Sequence, residues 1–424
     1  MSGLKGPVQV HKILTRVLFA GLIFVVAACS ATHRPPVAEQ PPVLLISIDG
    51  MSVGYLDWDI TPNLQRLAAE GVRARWMTPS YPVLTFPAHY SMVTGLRPDR
   101  HGIVHNNMRD PILGRFQLAD RDAVGTGAWW QGEPIWVSAE RAGMPTAAFY
   151  WPGSEAPIQG VRPSRWRPFD DSVPYASRVD TVLDWLREPP HRRPRFMTLY
   201  FERVDKMGHD FGPGSAQVRQ ALIEADAAIG RLLDGLRRQG QLDRVNILLV
   251  SDHGMAEVPP GQIVSTDAMV NPADAAVVSV GQVVGFNPLP GRTEAAEQQL
   301  LGRHEHYQCW RKQDLPERWH YGSHPRVPAI VCQMDEGWDA LPRSFAARRP
   351  PDSTRGSHGF DPALASMRTI FLARGPAFRP GVVVDPIENV DVYPLLARLL
   401  GIEPVGDDGD PDALSDVLRR EPKS

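Results

Sequence analysis

An α/β fold, with a mostly parallel sheet, helices on both of its faces and one inserted α+β segment, is predicted by three features of the sequence. Apolar runs of strand length alternate with stretches of helical period. The strand-length runs are apolar at nearly every position, as befits strands covered on both sides. Residues 265–347 break the alternation.

The first strand, 43–48, is valine, leucine and isoleucine except for Ser47, and it ends in Asp49-Gly50. A helix starts at Thr61-Pro62, places Leu64, Leu67 and Ala68 on one face, and stops at Gly71. The unit recurs as a strand over 146–151, a helix through Val179, Val182, Leu183 and Leu186, and a strand over 196–201. Ser215 can cap the next helix, whose apolar positions Val218, Leu222, Ile229, Leu232, Leu233 and Leu236 keep a helical period. A strand over 245–250, apolar but for Asn246, ends in Ser251-Asp252-His253-Gly254. After the aromatic-rich, proline-rich stretch 265–347, a strand over 368–373 and a closing helix over 391–400 return to the earlier style. No internal repeat is present. The expected division is a core of 43–264 with 348–424, and an inserted cap of 265–347.

The N-terminus differs in kind. Lys5, Lys12 and Arg16 precede an apolar run over 17–28 that is too short to span a bilayer as a helix, so residues 1–28 read as an export signal. Its end, Val26-Ala27-Ala28-Cys29-Ser30, resembles a bacterial lipoprotein signal. That likeness implies a lipid anchor on Cys29, a periplasmic location at the cell envelope, and a proline-rich tether over 29–42. The remaining cysteines are Cys309 and Cys332. An oxidising compartment permits a bridge between them, and spacing leaves open whether they pair. With 424 residues and a formal net charge of −3, the composition is that of a globular protein without a basic surplus, which argues against a nucleic-acid duplex as partner.

In parallel sheets ligands sit beyond the carboxyl ends of the strands, and Asp49, Asp205 and Asp252 all fall there. Singly, each polar residue has a plain structural explanation: Asp49 as a turn residue, Asp205 with His209 as a helical pair, His253 as a hydrogen-bonded core histidine, His358 as a loop residue. Together they supply six hard-to-borderline ligands, a number that suits two zinc ions with three protein ligands each. Thr85 lies in Ser80-Tyr-Pro-Val-Leu-Thr-Phe-Pro-Ala-His-Tyr90, at or beside the first turn of a helix running to Thr94. There it reads either as an N-cap or as a nucleophile, since free amides and the helix dipole favour an oxyanion and a hydroxyl needs a metal or base to react.

Asp49-Gly50, Thr61-Pro-Asn63, Met77-Thr-Pro79, Thr85-Phe-Pro87, Val93-Thr-Gly-Leu96, His101-Gly-Ile103, Asn106-Asn-Met108, Asp205-x-x-x-His209, Ser251-Asp-His-Gly-Met255 and His358-Gly-Phe360 resemble the nucleotide pyrophosphatase/phosphodiesterase family of the alkaline phosphatase superfamily. The resemblance implies an alkaline-phosphatase-like core. It implies that Asp205, His209 and His358 hold one zinc ion, and that Asp49, Asp252 and His253 hold the second together with Thr85. Thr85 would be the nucleophile, forming a phosphothreonyl intermediate. Asn106 would donate to a phosphoryl oxygen, and Phe86 with Phe169 would enclose the base of a small-molecule nucleotide. Two positions depart from the family: Phe169 stands where tyrosine is usual, and Ala88 where asparagine is common.

In-line phosphoryl transfer needs both entering and leaving oxygens stabilised, which two metals about 4 Å apart can do. The expected reaction is hydrolysis at the α-phosphate with release of a nucleoside 5′-monophosphate. No arginine of the kind that suits a doubly charged monoester surrounds Thr85 in the sequence. Two other readings remain: a choline or glycerol phospholipid phosphodiesterase of the same family, and a non-catalytic binding protein anchored to the envelope.

Overall fold

Every residue of the Val43–Ile48 strand is buried, but alternate side chains enter different cores. Val43 and Leu45 join one that contains the helices Thr85–Thr94, Ile135–Arg141 and Val392–Leu400. Leu44, Ile46 and Ile48 join another, with the helices Pro62–Glu70, Tyr175–Arg187 and Ala216–Arg238. Leu248 and Val250 part from Ile247 and Leu249 in the same way. Helices therefore cover both faces of the sheet, and each fully buried aliphatic side chain between the layers contributes about 1.5–3 kcal/mol.

The computed structural model describes residues 40–349 and 352–419, together with Gly3, and the compact unit begins at Pro41. The apolar run 17–28, Cys29 and most of the tether lie outside the described residues. Among the described residues no helix is long and apolar enough to cross a membrane.

The central sheet has eight strands in the order Val382–Val384, Val72–Ala74, Phe371–Arg374, Asn246–Val250, Val43–Ile48, Phe196–Phe201, Thr146–Phe149, Arg165–Trp166. One of them, Phe371–Arg374, runs against both of its neighbours, and the others are parallel. The mostly parallel α/β prediction therefore holds. The strand expected over 368–373 starts at Phe371, because Thr369 makes isolated bridges to Ser52 and Met77 instead of joining the sheet. The strand expected over 146–151 stops at Phe149, where Tyr150 turns to a positive φ of 65°.

A second sheet forms within residues 275–334. Its five antiparallel strands run in the order Ala275–Ser279, Val283–Pro288, Ile330–Met334, Tyr307–Arg311, Gly302–Arg303. Cys309 lies directly opposite Cys332 across two of these strands, and the two form a disulfide, which settles a pairing that spacing left open.

Candidate active site

Three central strands deliver acidic residues to one end of the sheet. Asp49 follows Val43–Ile48, and Asp252 with His253 follows Asn246–Val250. Asp205 and His209 lie one turn apart on the helix Arg203–Phe211, which begins directly after Phe196–Phe201. Gly50 makes this close approach possible: its φ is +70°, and a Cβ there would stand 2.9 Å from the Asp205 Cα. His358 comes after Arg355–Ser357, a strand paired with Ala256–Val258. Thr85 is the first residue of Thr85–Thr94, and the residue before it is extended, as the sequence predicts.

The residues meet. Ligand atoms of Asp49, Asp252 and His253 lie within 4.8 Å of one another, and so do those of Asp205, His253 and His358. His209 belongs with the latter set: its Nε2 is 3.4 Å from Asp205 Oδ1 and 3.1 Å from His358 Nε2. His253 stands between the two groups, with Nε2 2.9 Å from Asp252 Oδ2, 3.4 Å from Asp49 Oδ1 and 4.0 Å from Asp205 Oδ1. Thr85 Oγ1 is 3.3 Å from the same nitrogen.

The donor set fits metal ions. His209, His253 and His358 each turn Nδ1 to a backbone carbonyl, of Gly356 at 3.0 Å, Gly254 at 3.0 Å and Val83 at 2.9 Å. A carbonyl only accepts, so each Nδ1 carries the proton and each Nε2 keeps its lone pair for the cluster, the outer-shell arrangement common to metal-binding histidines. Asp49 Oδ1, Asp205 Oδ1 and Asp252 Oδ2 are buried without a hydrogen-bond partner. Buried carboxylate oxygens left this way are costly unless a cation meets them.

Burial and the cluster's own charges set its electrostatics. Burial, and then the charges of Asp252 and Asp205, push the Asp49 carboxyl well above its usual range. Burial also pushes Asp252 upward, but His253 and His89 outweigh it and hold that carboxyl low. Burial acts downward on His253, and the Asp252 carboxylate overcomes it and raises the imidazole. Burial, with His253 and His209 nearby, drives His358 well below the usual value.

A cavity of about 400 Å³ opens beside the cluster, lined by Thr85, Phe86, Asn106 and Phe169 among others. Asn106 Oδ1 accepts the Phe86 amide at 3.0 Å, which leaves its NH₂ as the donor end. Phe86 packs near Phe116 and Trp130, while Phe169 packs edge-on against Tyr150 and Tyr200. All ten sequence-predicted site residues thus lie in the cluster or on this cavity.

Other residues at the site carried no sequence prediction. Tyr200 donates its hydroxyl to Asp49 Oδ2, from within an apolar strand that offers no polar spacing to read. Glu155 accepts the Phe169 amide at 3.0 Å and the Arg121 guanidinium. An arginine therefore does reach the cavity wall from a distance in sequence, though tied to Glu155. Lys206 is also on the wall, 3.2 Å from Asp171. His89 is fully buried beside Thr85, and its i, i+4 relation to Thr85 on one helix was the available signal.

Comparison with known proteins agrees with this geometry. Residues 43–361 match the model of the type I phosphodiesterase / nucleotide pyrophosphatase family. The chain is 35% identical over 410 residues to ectonucleotide pyrophosphatase/phosphodiesterase family member 3 of Rattus norvegicus, covering 93% of this chain and 46% of that protein. It is 36% identical over 414 residues to the venom phosphodiesterase CdcPDE of Crotalus durissus collilineatus, covering 93% and 48%. The chain spans about half the length of the curated relatives it matches. Among solved structures, an inactive variant of murine ectonucleotide pyrophosphatase/phosphodiesterase 5 in complex with AMP superposes with a TM-score of 0.84 at 32% identity, over 90% of this chain and 100% of that one.

Proposed function

The chain belongs to the type I phosphodiesterase / nucleotide pyrophosphatase family, and we propose that it hydrolyses nucleotide phosphodiester or pyrophosphate bonds, releasing a nucleoside 5′-monophosphate. One observation supports this most: the Thr85 hydroxyl lies at the edge of a six-residue ligand cluster and on the same cavity as Asn106, Phe86 and Phe169.

Asp205, His209 and His358 would hold one zinc ion, and Asp49, Asp252, His253 and Thr85 the other. When bound, such ions neutralise charge on phosphoryl oxygens and make a hydroxyl acidic enough to react. Thr85 Oγ1 attacks phosphorus, the bond to the leaving oxygen breaks, and the nucleotidyl group stays on the threonine until water replaces it. Thr85 is the first residue of the helix Thr85–Thr94, so the positive end of the helix dipole favours the developing charge. Asn106 NH₂ donates to a non-bridging oxygen. Phe86 and Phe169 enclose the flat base, and each stacked base contributes about 1–3 kcal/mol. The AMP bound by the murine relative supports a nucleotide at this site.

Residues 265–347 read as a cap inserted into the catalytic core, and the N-terminal 1–42 as an export signal, a lipidated Cys29 and a tether that keep the enzyme at the periplasmic envelope. The test is Thr85→Ala assayed with the p-nitrophenyl ester of thymidine 5′-monophosphate, beside p-nitrophenylphosphocholine. Wild type is expected to turn over the nucleotide ester in preference, and the variant to lose turnover while keeping its zinc. Retained activity in the variant, or preference for the choline ester, would overturn the reading.

A further inference from the structure

His89 has no place among the ligands or on the substrate cavity, yet it is the only imidazole that touches both the nucleophile's backbone and a ligand carboxylate among the described residues. It is completely buried. Its Nδ1 lies 2.8 Å from the Thr85 carbonyl oxygen and 3.3 Å from Asp252 Oδ2. Its Nε2 lies 2.8 Å from Ser47 Oγ. The Thr85 carbonyl can only accept, so Nδ1 carries the proton, and Nε2 accepts the Ser47 hydroxyl.

The ring itself cannot drift. Trp151 and Tyr200 meet it edge-on, with centroids at 4.9 Å and 5.3 Å, and Tyr200 is the residue that donates to Asp49. Asp252 is gripped on its other side, where Oδ1 accepts the Gly50 amide at 3.2 Å. One proton on His89 Nδ1 therefore faces the main chain of the helix that starts with Thr85 and also the carboxylate oxygen nearest His253.

We propose that His89 is a positioning residue, which through its Nδ1–H fixes the spacing between the Thr85 nucleophile and the Asp252 ligand and so sets both metal affinity and the rate of the chemical step. The proposal rests on the two-metal phosphodiesterase reading, and it concerns a group that contacts neither substrate nor metal. Second-layer partners of this type alter metal affinity by about 10–100-fold when removed.

The test uses the full chain and three variants, His89→Ala, His89→Asn and His89→Gln, each first shown to be folded by its melting transition. Asparagine places an amide N–H at the δ position of the histidine, whereas glutamine reaches only the ε position. Zinc affinity is read by competition with a chromogenic chelator, and kcat and KM are read with the thymidine nitrophenyl ester. His89→Ala and His89→Gln are expected to lose zinc affinity by about 10–100-fold, and kcat by a similar factor with KM held within about threefold. His89→Asn is expected to recover most of both. If glutamine serves as well as asparagine, or if a folded His89→Ala keeps zinc affinity and kcat within threefold, the proposal is wrong. Should His89→Ala fail to fold, the asparagine–glutamine contrast decides alone. A wild-type chain that binds zinc but hydrolyses no nucleotide ester would sink the functional reading and leave the zinc-affinity comparison to judge His89.

Discussion

Asp49→Asn should change the stability of the protein in opposite directions with and without metal. The ligand atoms of Asp49, Asp252 and His253 lie within 4.8 Å of one another. Two carboxylate charges at that separation repel by about 3.5 kcal/mol at an effective dielectric of about 20. Asparagine keeps the shape, and its Oδ1 can still accept the Tyr200 hydroxyl. Without metal at neutral pH, the variant should therefore be more stable than wild type by up to about 3 kcal/mol. The pH dependence follows from the raised Asp49 carboxyl, which burial and the neighbouring acids hold well above 3.8. The folded state then binds this proton more tightly than the unfolded chain does, so the wild type has the full contribution below pH 3.8 and loses it as pH climbs through the folded value. The gap between variant and wild type should close near pH 4. With zinc the order reverses. A ligand at a thousand times its dissociation constant adds about 4.1 kcal/mol to the wild type. With an unfolding entropy of about 2.1 cal/mol/K per residue over the unit that begins at Pro41, this is a rise in Tm of about 5 °C. Calorimetry at neutral and acidic pH, with chelator and with zinc, reads all of these. A variant less stable than wild type in chelator at pH 7, or one that gains as much from zinc, would refute the reasoning.

Phe169→Ala should raise KM for the thymidine nitrophenyl ester by about 5- to 150-fold, the equivalent of about 1–3 kcal/mol of stacking. Bis(p-nitrophenyl) phosphate, which has no base, should lose less than about threefold in kcat/KM, and an equal loss on both substrates would show that Phe169 does not read the base. Burial holds His101 at about 3 and His105 at about 4, against 6.5 when unfolded. The unfolded state binds more protons between those values, so stability is full above pH 6.5 and falls as the pH drops toward 4 and 3. Each ring accounts for about 2 kcal/mol of that loss at pH 5. Urea midpoints at pH 7 and pH 5 check this, with a smaller fall expected for His105→Asn, and an equal fall would remove His105 from the explanation.

The layered architecture was legible because each strand is apolar at both alternating positions, as in Val43–Ile48 and Asn246–Val250, and both sets of side chains have a core to enter. Strand direction was not. Phe371–Arg374 has the same composition whether it runs with or against its neighbours, and only its pairing to Asn246–Val250 and Val72–Ala74 reveals the reversal. Short edge strands such as Arg165–Trp166 carry too few residues to show a period. At the site, residues that bring charge to strand ends stood out against apolar runs. Tyr200, which donates to Asp49, and His89, whose Nδ1 lies beside Asp252, did not. Each is an ordinary buried side chain until its partner is known, since that partner is remote in sequence or hidden in the fold.

The metal content of the purified chain tests the account most directly. Elemental analysis should return close to two zinc ions per chain for wild type and for Thr85→Ala alike, with hydrolysis of the nucleotide ester present only in the former and abolished on exhaustive chelation. A wild-type preparation that holds no metal and still cleaves the ester would contradict it.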